Sequence, residues 1–380
     1  MEPSLEWLEE LEAVLLLQDG TLIRGRGFGY PKRTVGEVVF NTGMVGYTEA
    51  LTDPSYKGQI LCFTYPLIGN YGVPSYSYLD EYGLPRFFES DQIQVSGAIL
   101  HELCIKPSHW ASTKSLHEWL FEEGIPGIWG VDTRSLTKKL RVYGVMMGAL
   151  EVSPEPIDVS ALKEELASAR SYGEQDFVDL VSVKEPMIYP GSGRRVALID
   201  CGVKYGILRE LLERGFEVIR LPYNTPFDLL LSYRPDGVVV SNGPGDPKRC
   251  TETIDCIRGL AERRIPMLGI CLGNQLISLA LGGDTFKLKY GHRGQNKPCT
   301  DLDSGLSYVT SQNHGYAVSH ESLDETGLRV WFVNADDKTV EGVKHESEPY
   351  IAVQFHPEAS PGPYDTEFVF DEFERLMKGG

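Results

Sequence analysis

The second half of the chain alternates short apolar runs with amphipathic segments, and this alternation constrains the fold more than any other feature. Arg195–Asp200 is an apolar run typical of a buried strand, and the residues after it place leucines on one helical face. Further strand patterns follow at Phe216–Leu221, Gly237–Ser241 and Pro266–Ile270, with helical patterns around Ile254–Leu260 and at Gln275–Leu281. Such alternation predicts a doubly wound α/β domain with a mostly parallel sheet.

The first half lacks this alternation and indicates a separate domain. Short strand-like pieces at Ala13–Leu17, Glu37–Phe40 and Gln59–Thr64 lie among many glycine, proline and tyrosine residues. A stretch rich in proline and glycine, Lys184–Gly193, has the composition of a linker between the halves. We therefore predict a β-rich mixed domain over residues 1–191 and the α/β domain over residues 192–380.

Charge and cysteine content exclude several classes of function. The 54 acidic and 36 basic residues give a net charge of −18, and without a local basic stripe this argues against nucleic-acid binding. No apolar run approaches the roughly 20 residues that span a bilayer, and the start of the chain is acidic where a secretory signal is basic. The seven cysteines lack CxxC spacing, so we predict no metal site and expect a reducing, cytoplasmic location.

Cys271 is the candidate nucleophile, because it stands in the pattern Gly269-Ile-Cys-Leu-Gly273 between an apolar strand and an apolar helix. Glycines two residues to either side leave room for the close crossing of strand and helix at a strained turn. The helix N-terminus favours the thiolate, and the backbone N–H of Leu272 is directed to where an oxyanion forms. A buried structural cysteine remains the alternative until a base is found.

His356 is the histidine best placed to be that base. The strand pattern Ile351–Phe355 delivers it to the carboxyl end of a strand, at the same sheet edge as Cys271. Glu358, two residues further on, can orient the imidazole, which completes the order nucleophile, base, orienter. If the base lies elsewhere, His314 is the next candidate.

The loop Ser241–Pro247 also follows a strand at this edge. Glycine and proline at this density are usual in a plain turn, and that remains the alternative. At the ligand-binding edge of a doubly wound sheet, however, a glycine N–H can supply a second oxyanion donor.

Taken together, these three segments resemble the class I (triad) glutamine amidotransferases. The segments Ser311–Val318 and His356–Asp365 narrow the resemblance to the family of small, glutaminase subunits of carbamoyl-phosphate synthetase. The first half is similar to the domain peculiar to that family at Phe40–Glu49, Thr52–Ile60, Tyr65–Gly72 and Asp132–Arg134. The resemblance therefore covers nearly the whole chain.

The resemblance implies a role for each matching position. Cys271 is the implied nucleophile, His356 the base and Glu358 the orienting carboxylate. The implied glutamine-binding set consists of Ser55, Gly243, Gly245, Leu272, Gln275, Asn313, Gly315 and Tyr316. Because Ser55 lies in the first half, the resemblance further implies an active site at the domain interface.

The resemblance also implies a partner. In this family L-glutamine is hydrolysed through a γ-glutamyl thioester, and the ammonia passes through a channel to a separate large subunit. That subunit makes carbamoyl phosphate from bicarbonate and ATP for arginine and pyrimidine synthesis. Since this chain has no G-x-x-x-x-G-K-[ST] phosphate loop, we expect no cofactor in it, with ATP and magnesium bound only by the large subunit.

Two other functions remain open from the sequence. One is a glutaminase subunit of a different amidotransferase, against which the long leading domain argues. The other is a degenerate glutaminase-like module that only binds a partner, against which the intact Cys271, His356 and Glu358 argue.

Overall fold

A computed structural model of the chain describes residues 5–379. They form two compact units, which divide between Gln175 and Asp176. Within the described residues, no helix is both long and apolar enough to cross a membrane.

The first unit contains a closed barrel of strands, which confirms the prediction of a β-rich first half. Its strands and helices are α1 (Leu5–Glu10), β1 (Glu12–Leu17), β2 (Leu22–Gly29), β3 (Arg33–Asn41), α2 (Tyr47–Thr52), β4 (Gln59–Phe63), β5 (Leu67–Ile68), β6 (Gly97–Ile99), β7 (Glu102–Leu103), α3 (Leu116–Glu122), β8 (Pro126–Trp129), α4 (Thr133–Tyr143), β9 (Met146–Ser153) and α5 (Val159–Ser168). The barrel order is β1-β2-β8-β6-β4-β3-β9, and β5 pairs with β7 outside it.

Helices cover parts of this barrel, and their starts are readable in the sequence. Ser115 and Glu118 form a reciprocal capping box at the start of α3, which satisfies two backbone donors that the first helical turn leaves unpaired. Trp119 and Leu120 of the same helix are buried in an apolar core with Phe28 of β2. The strand β4 is buried along its whole length, which explains why its sequence after Gln59 is continuously apolar and does not alternate.

The second unit is built on one large mixed sheet. Its elements are α6 (Val178–Val181), β10 (Met187–Tyr189), β11 (Arg195–Asp200), α7 (Tyr205–Glu213), β12 (Glu217–Pro222), α8 (Phe227–Ser232), β13 (Gly237–Val240), α9 (Thr251–Glu262), β14 (Met267–Ile270), α10 (Leu272–Ala280), β15 (Thr285–Asp301), β16 (Ser307–Val318), β17 (Leu328–Asn334), β18 (Val340–His345), β19 (Tyr350–Val353) and α11 (Phe368–Met377). The strand order is β10-β12-β11-β13-β14-β19-β18-β16-β15-β17.

The centre of this sheet confirms the doubly wound prediction. The strands β12, β11, β13, β14 and β19 are parallel neighbours, and chain order reverses at β11. Leu230 of α8, Ile257 of α9 and Leu276 of α10 share one apolar core with the strands. The carboxyl ends of β13, β14 and β19 therefore lie side by side, which is where such a sheet binds its ligands.

The predicted domain boundary at 191/192 differs from the observed division. Residues that precede it already belong to the second unit, since Met187–Tyr189 forms an edge strand antiparallel to β12. Val178 lies in the apolar core of this unit, and the backbone N–H of Val183 donates to the buried Asp200 carboxylate at 2.9 Å. Proline and glycine mark bends in this segment, but its contacts make it the first part of the α/β unit.

Candidate active site

Cys271 lies on a strained turn between β14 and α10, as the elbow pattern predicts. Its backbone angles, φ 54° and ψ −101°, lie in a region that non-glycine residues seldom adopt. A Cβ on Gly273 would come within 2.0 Å of the Val240 carbonyl oxygen, so only glycine permits this crossing of α10 over β13. A Cβ on Gly269 would approach the backbone of Gly273 to 2.6 Å. At both positions, therefore, neighbouring backbone atoms lie too close for any residue other than glycine.

The Cys271 thiol is buried, and main-chain and side-chain groups hold it in place. Its backbone N–H donates to the Val353 carbonyl at 2.8 Å, which ties the turn to the end of β19. Its Sγ lies 3.7 Å from the Asn313 carbonyl oxygen and 3.6 Å from Gln354 Nε2. Gln354, which directly follows β19, is a neighbour of the sulfur that sequence reasoning missed.

His356 and Glu358 form a buried hydrogen-bonded pair beyond the end of β19. The His356 backbone N–H donates to the Ser311 carbonyl at 2.9 Å, and His356 Nδ1 donates to Glu358 Oε1 at 2.7 Å. Its Nε2 is buried and has no hydrogen-bond partner among residues 5–379, so this nitrogen remains available for proton transfer. Burial disfavours the charged imidazolium and so acts to lower the pKa of His356. The Glu358 carboxylate raises this pKa by more than burial lowers it, and the Cys271 side chain raises it further. The pKa of His356 is raised to about 10.

Lys204 is a charged member of this site that sequence reasoning did not find. It follows β11, and its Nζ donates to Glu358 Oε1 at 2.9 Å and to the Ala359 carbonyl at 3.0 Å. Although burial acts to raise the pKa of Glu358, Lys204 and then His356 lower it to about 2. The Lys204 charge also opposes the rise in the pKa of His356.

The loop after β13 packs tightly against the end of β11. Ser241 Oγ accepts from the Cys201 N–H at 2.9 Å, and Asn242 Oδ1 accepts from the Lys204 N–H at 3.1 Å. A Cβ on Gly243 would lie 2.1 Å from the Cys201 carbonyl oxygen and 2.8 Å from Leu272 Cδ2. Gly243 is thus beside the first residue of α10, while Gly245 follows it at φ 92°. Gly243 therefore places main-chain atoms without a side chain next to the turn that holds Cys271.

The structure brings several predicted glutamine-binding residues together around α10 and β16. Leu272 and Gln275 lie in the first turn of α10, and both are buried. Gln275 Nε2 donates to the Tyr316 carbonyl at 3.0 Å and to Gln354 Oε1 at 3.0 Å. Asn313 contacts the Cys271 sulfur through its carbonyl, and Gly315 lies in the same strand.

Ser55 lies in the first unit, within the short helical turn Pro54–Tyr56. It is buried, and its backbone N–H donates to Asp53 Oδ1 at 2.9 Å, which caps the turn. Its assignment to glutamine binding stays a prediction.

His314, the alternative base, has other partners. Its Nδ1 donates to the Tyr316 carbonyl at 2.8 Å, and its Nε2 lies 3.9 Å from a carboxylate oxygen of Glu341. Burial first, and then the charges of His292 and Arg293, hold its pKa well below the usual value. Because its ring belongs to a different buried group of side chains, the geometry favours His356 as the base.

Each half of the chain matches the model of a known protein family. Residues 197–376 match the model of the family described as "Glutamine amidotransferase class-I". Residues 15–150 match the model described as "Carbamoyl-phosphate synthase small chain, CPSase domain".

Individual relatives resemble the chain from end to end. The carbamoyl phosphate synthase small chain of Pyrococcus furiosus is 54% identical over 370 residues, which cover 96% of this chain and 97% of the relative. The protein of the same name from Methanopyrus kandleri is 50% identical over 371 residues, covering 97% and 99%. That from Methanocaldococcus jannaschii is 49% identical over 370 residues, covering 96% and 99%.

Proposed function

This chain belongs to the family of carbamoyl phosphate synthase small chains, and we propose that it hydrolyses glutamine with a Cys271–His356–Glu358 triad. The observation that carries the proposal is the arrangement at two parallel strand ends. Cys271 lies at a strained turn after β14, and the buried His356–Glu358 pair, joined at 2.7 Å, follows β19. Relatedness over the full length to small chains removes the alternative of a glutaminase that serves a different synthetase.

In the first half of the reaction the Cys271 thiolate attacks the side-chain carboxamide carbon of glutamine. The C–S bond forms, and the carbonyl π electrons move to oxygen as a tetrahedral oxyanion. The N–H of Leu272, at the start of α10 where helical carbonyls are lacking, and the N–H of Gly243 are suited to bind it. The His356 imidazolium then gives its Nε2 proton to the leaving nitrogen, so that ammonia departs and a γ-glutamyl thioester remains.

In the second half His356 reverses its role. Its neutral Nε2 takes a proton from water, and the resulting hydroxide attacks the thioester carbon. Collapse of the second tetrahedral species breaks the C–S bond, which releases glutamate and restores the thiolate. Throughout, the Nδ1–H of His356 stays bound to Glu358, whose charge stabilises the imidazolium each time it forms.

The ammonia has to reach a second active site, because synthesis of carbamoyl phosphate also needs activated bicarbonate. We assign that chemistry, with its ATP and magnesium, to a large synthetase subunit that binds this chain. Membership of the small-chain family supports the assignment. Direct transfer of ammonia between the subunits would prevent its protonation by water.

The test compares nitrogen sources in the complex of this chain with a large subunit. Cys271→Ser should abolish glutamine-dependent synthesis of carbamoyl phosphate and leave ammonia-dependent synthesis intact, because only hydrolysis needs the thiolate. Cys256→Ser is the matched control. It alters another buried cysteine of the same unit and should retain both activities. Near-normal glutamine hydrolysis by Cys271→Ser would refute the proposal.

A further inference from the structure

A second group of chemistry-bearing side chains lies buried in the antiparallel part of the second unit. His292 of β15 and His314 of β16 are directly opposed across the two strands, and their rings meet edge to face at 5.0 Å. Glu341 of β18 completes the group, and its side chain is fully buried. One nitrogen of each histidine and one carboxylate oxygen all lie within 4.8 Å of one another.

Each histidine is oriented through the nitrogen that does not face the centre of this group. His314 Nδ1 lies 2.8 Å from the Tyr316 carbonyl oxygen, which can only accept, so this nitrogen carries the proton. His292 Nε2 lies 2.8 Å from Asp337 Oδ2. Histidines that bind metal ions are held in this way, with one nitrogen donating to a carbonyl or carboxylate and the other left for the metal.

The centre of the group holds more acceptors than donors. With the proton of His314 on Nδ1, its Nε2 carries a lone pair, yet it faces Gln312 Oε1 at 3.3 Å and Glu341 Oε2 at 3.9 Å. The orientation of the Gln312 amide is set on its other side, since Nε2 donates to Thr310 Oγ1 at 3.1 Å and to Cys299 Sγ at 3.2 Å. Three electron-rich atoms therefore converge without a hydrogen between them.

The two carboxylate oxygens of Glu341 differ in their hydrogen bonding. Oε1 accepts from Asn334 Nδ2 at 3.0 Å and lies 3.2 Å from His292 Nδ1. Oε2 is buried without a hydrogen-bond partner among residues 5–379, which is costly for an ionised carboxylate. A proton on His292 Nδ1 reaches Oε1 alone, and His314 has no proton on Nε2 to give to Oε2, because its ring proton lies on Nδ1, 2.8 Å from the Tyr316 carbonyl oxygen.

We propose that His292, His314 and Glu341 bind a divalent transition-metal ion of the zinc type. The ligands are His292 Nδ1, His314 Nε2 and the Glu341 carboxylate, and a proton on His292 Nδ1 is released to solvent when the ion binds. Two histidines and one glutamate are an established zinc ligand set, with the fourth position left for water. Magnesium and calcium prefer all-oxygen ligands, so the nitrogen atoms select against them.

This site is distinct from the thiol site but shares a strand with it. His314 directly follows Asn313, whose carbonyl oxygen contacts the Cys271 sulfur at 3.7 Å. The Tyr316 carbonyl accepts from His314 Nδ1 and also from Gln275 Nε2 in α10. An ion at His314 Nε2 would therefore brace the strand whose carbonyl oxygen contacts the nucleophile.

The site is tested by titrating the full chain with Zn²⁺, and with Co²⁺ as a spectroscopic probe, after treatment with a chelator. Cys271→Ser serves as the background, which removes the active-site thiol as a competing ligand. We expect one ion per chain, visible d–d bands of low-coordinate Co²⁺, and no competition from Mg²⁺. His292→Gln and Glu341→Gln should each weaken binding by about 100-fold or more, because each removes a ligand.

Two further variants separate metal binding from folding. Asp337→Asn alters a half-exposed residue whose Oδ2 orients His292, and it keeps the amide oxygen that can still accept from Thr339 as Oδ1 does. It should weaken binding by about 10–100-fold without disturbing the core. His345→Gln is the control, since it alters a histidine of β18 outside the proposed site. His345 Nδ1 accepts from the backbone N–H groups of Ser347 and Glu348, and this variant should bind the ion normally. Failure of the background chain to bind Zn²⁺ at micromolar concentration, or unchanged binding by both His292→Gln and Asp337→Asn, would overturn the proposal.

Discussion

Replacing Lys204 by methionine tests how the charges of the triad depend on one another. Methionine has nearly the length of the lysine stem, but it leaves Glu358 with a single charged partner in a fully buried position. Breaking a buried ion pair on one side costs about 3–5 kcal/mol, because the remaining charge has lost its compensation. We expect the free energy of unfolding in urea to fall by about this amount.

The same substitution should move the pH dependence of catalysis. Lys204 Nζ and His356 Nδ1 both bind Glu358 Oε1, at 2.9 and 2.7 Å, so the two nitrogens are at most 5.6 Å apart. At an effective dielectric constant of about 20, two unit charges at this separation repel by about 3 kcal/mol, equivalent to about two pH units. Lys204 holds the pKa of His356 down, so its removal should raise that pKa and shift the acid limb of kcat to higher pH.

The matched control is Lys184→Met, which removes a lysine from an exposed pair in the same unit. Lys184 Nζ lies 2.8 Å from Asp179 Oδ1, and both side chains are more than half exposed. Such pairs are worth about 0–1 kcal/mol, so this variant should keep its stability and its pH profile. Both variants are measured by urea unfolding and by steady-state glutamine hydrolysis across pH. A Lys204→Met chain that behaves like the control in both assays would refute the electrostatic reasoning.

Three further results are expected. His356→Asn should abolish glutamine hydrolysis while Glu358→Ala retains measurable activity, because the base acts in every turnover and the orienter only improves its placement; equal small losses would place the base elsewhere. A fragment beginning at Asp176 should melt at a higher temperature than one beginning at residue 192, since only the longer one contains β10; equal melting temperatures would contradict the observed boundary. The pKa of Glu358 is lowered from 4.5 to about 2, so the ionised side chain stabilises the fold above pH 4.5, and this stabilisation is lost as the pH falls toward 2. Over that range the free energy of unfolding should therefore fall less for Glu358→Gln than for the wild type, as measured by urea unfolding at each pH.

The parts of the fold that are readable from sequence are those with local signals. The central strands of the α/β unit are continuous apolar runs, because parallel strands are buried on both faces, and their predicted and observed ends agree within a residue or two. The glycines around Cys271 signal a close crossing, and the structure shows contacts that exclude a Cβ. Barrel closure in the first unit was not predicted, because it depends on pairings between strands far apart in the chain.

The site residues that could not be predicted from the sequence are those whose roles depend on contacts with residues distant in the chain. Lys204 follows an ordinary strand, and only its contacts with Glu358 and Ala359 distinguish it from a surface lysine. His292 and Glu341 carry no ligand-spacing motif, because the strands that hold them are brought together by the antiparallel extension of the sheet. A proline- and glycine-rich segment likewise resembles a linker until its pairing with β12 is known.

The arrangement of charge around His356 explains why the site needs more than its three triad residues. In each turnover this imidazole first gives a proton to nitrogen and then takes one from water, so a pKa far from the working pH would slow one of the two steps. Glu358 alone, hydrogen-bonded at 2.7 Å, would make the imidazole a strong base and its imidazolium a poor proton donor to the leaving nitrogen. Lys204 opposes that shift and at the same time keeps Glu358 ionised, so that it goes on orienting Nδ1–H. The end of β11, which supplies no triad residue, therefore contributes to both proton transfers.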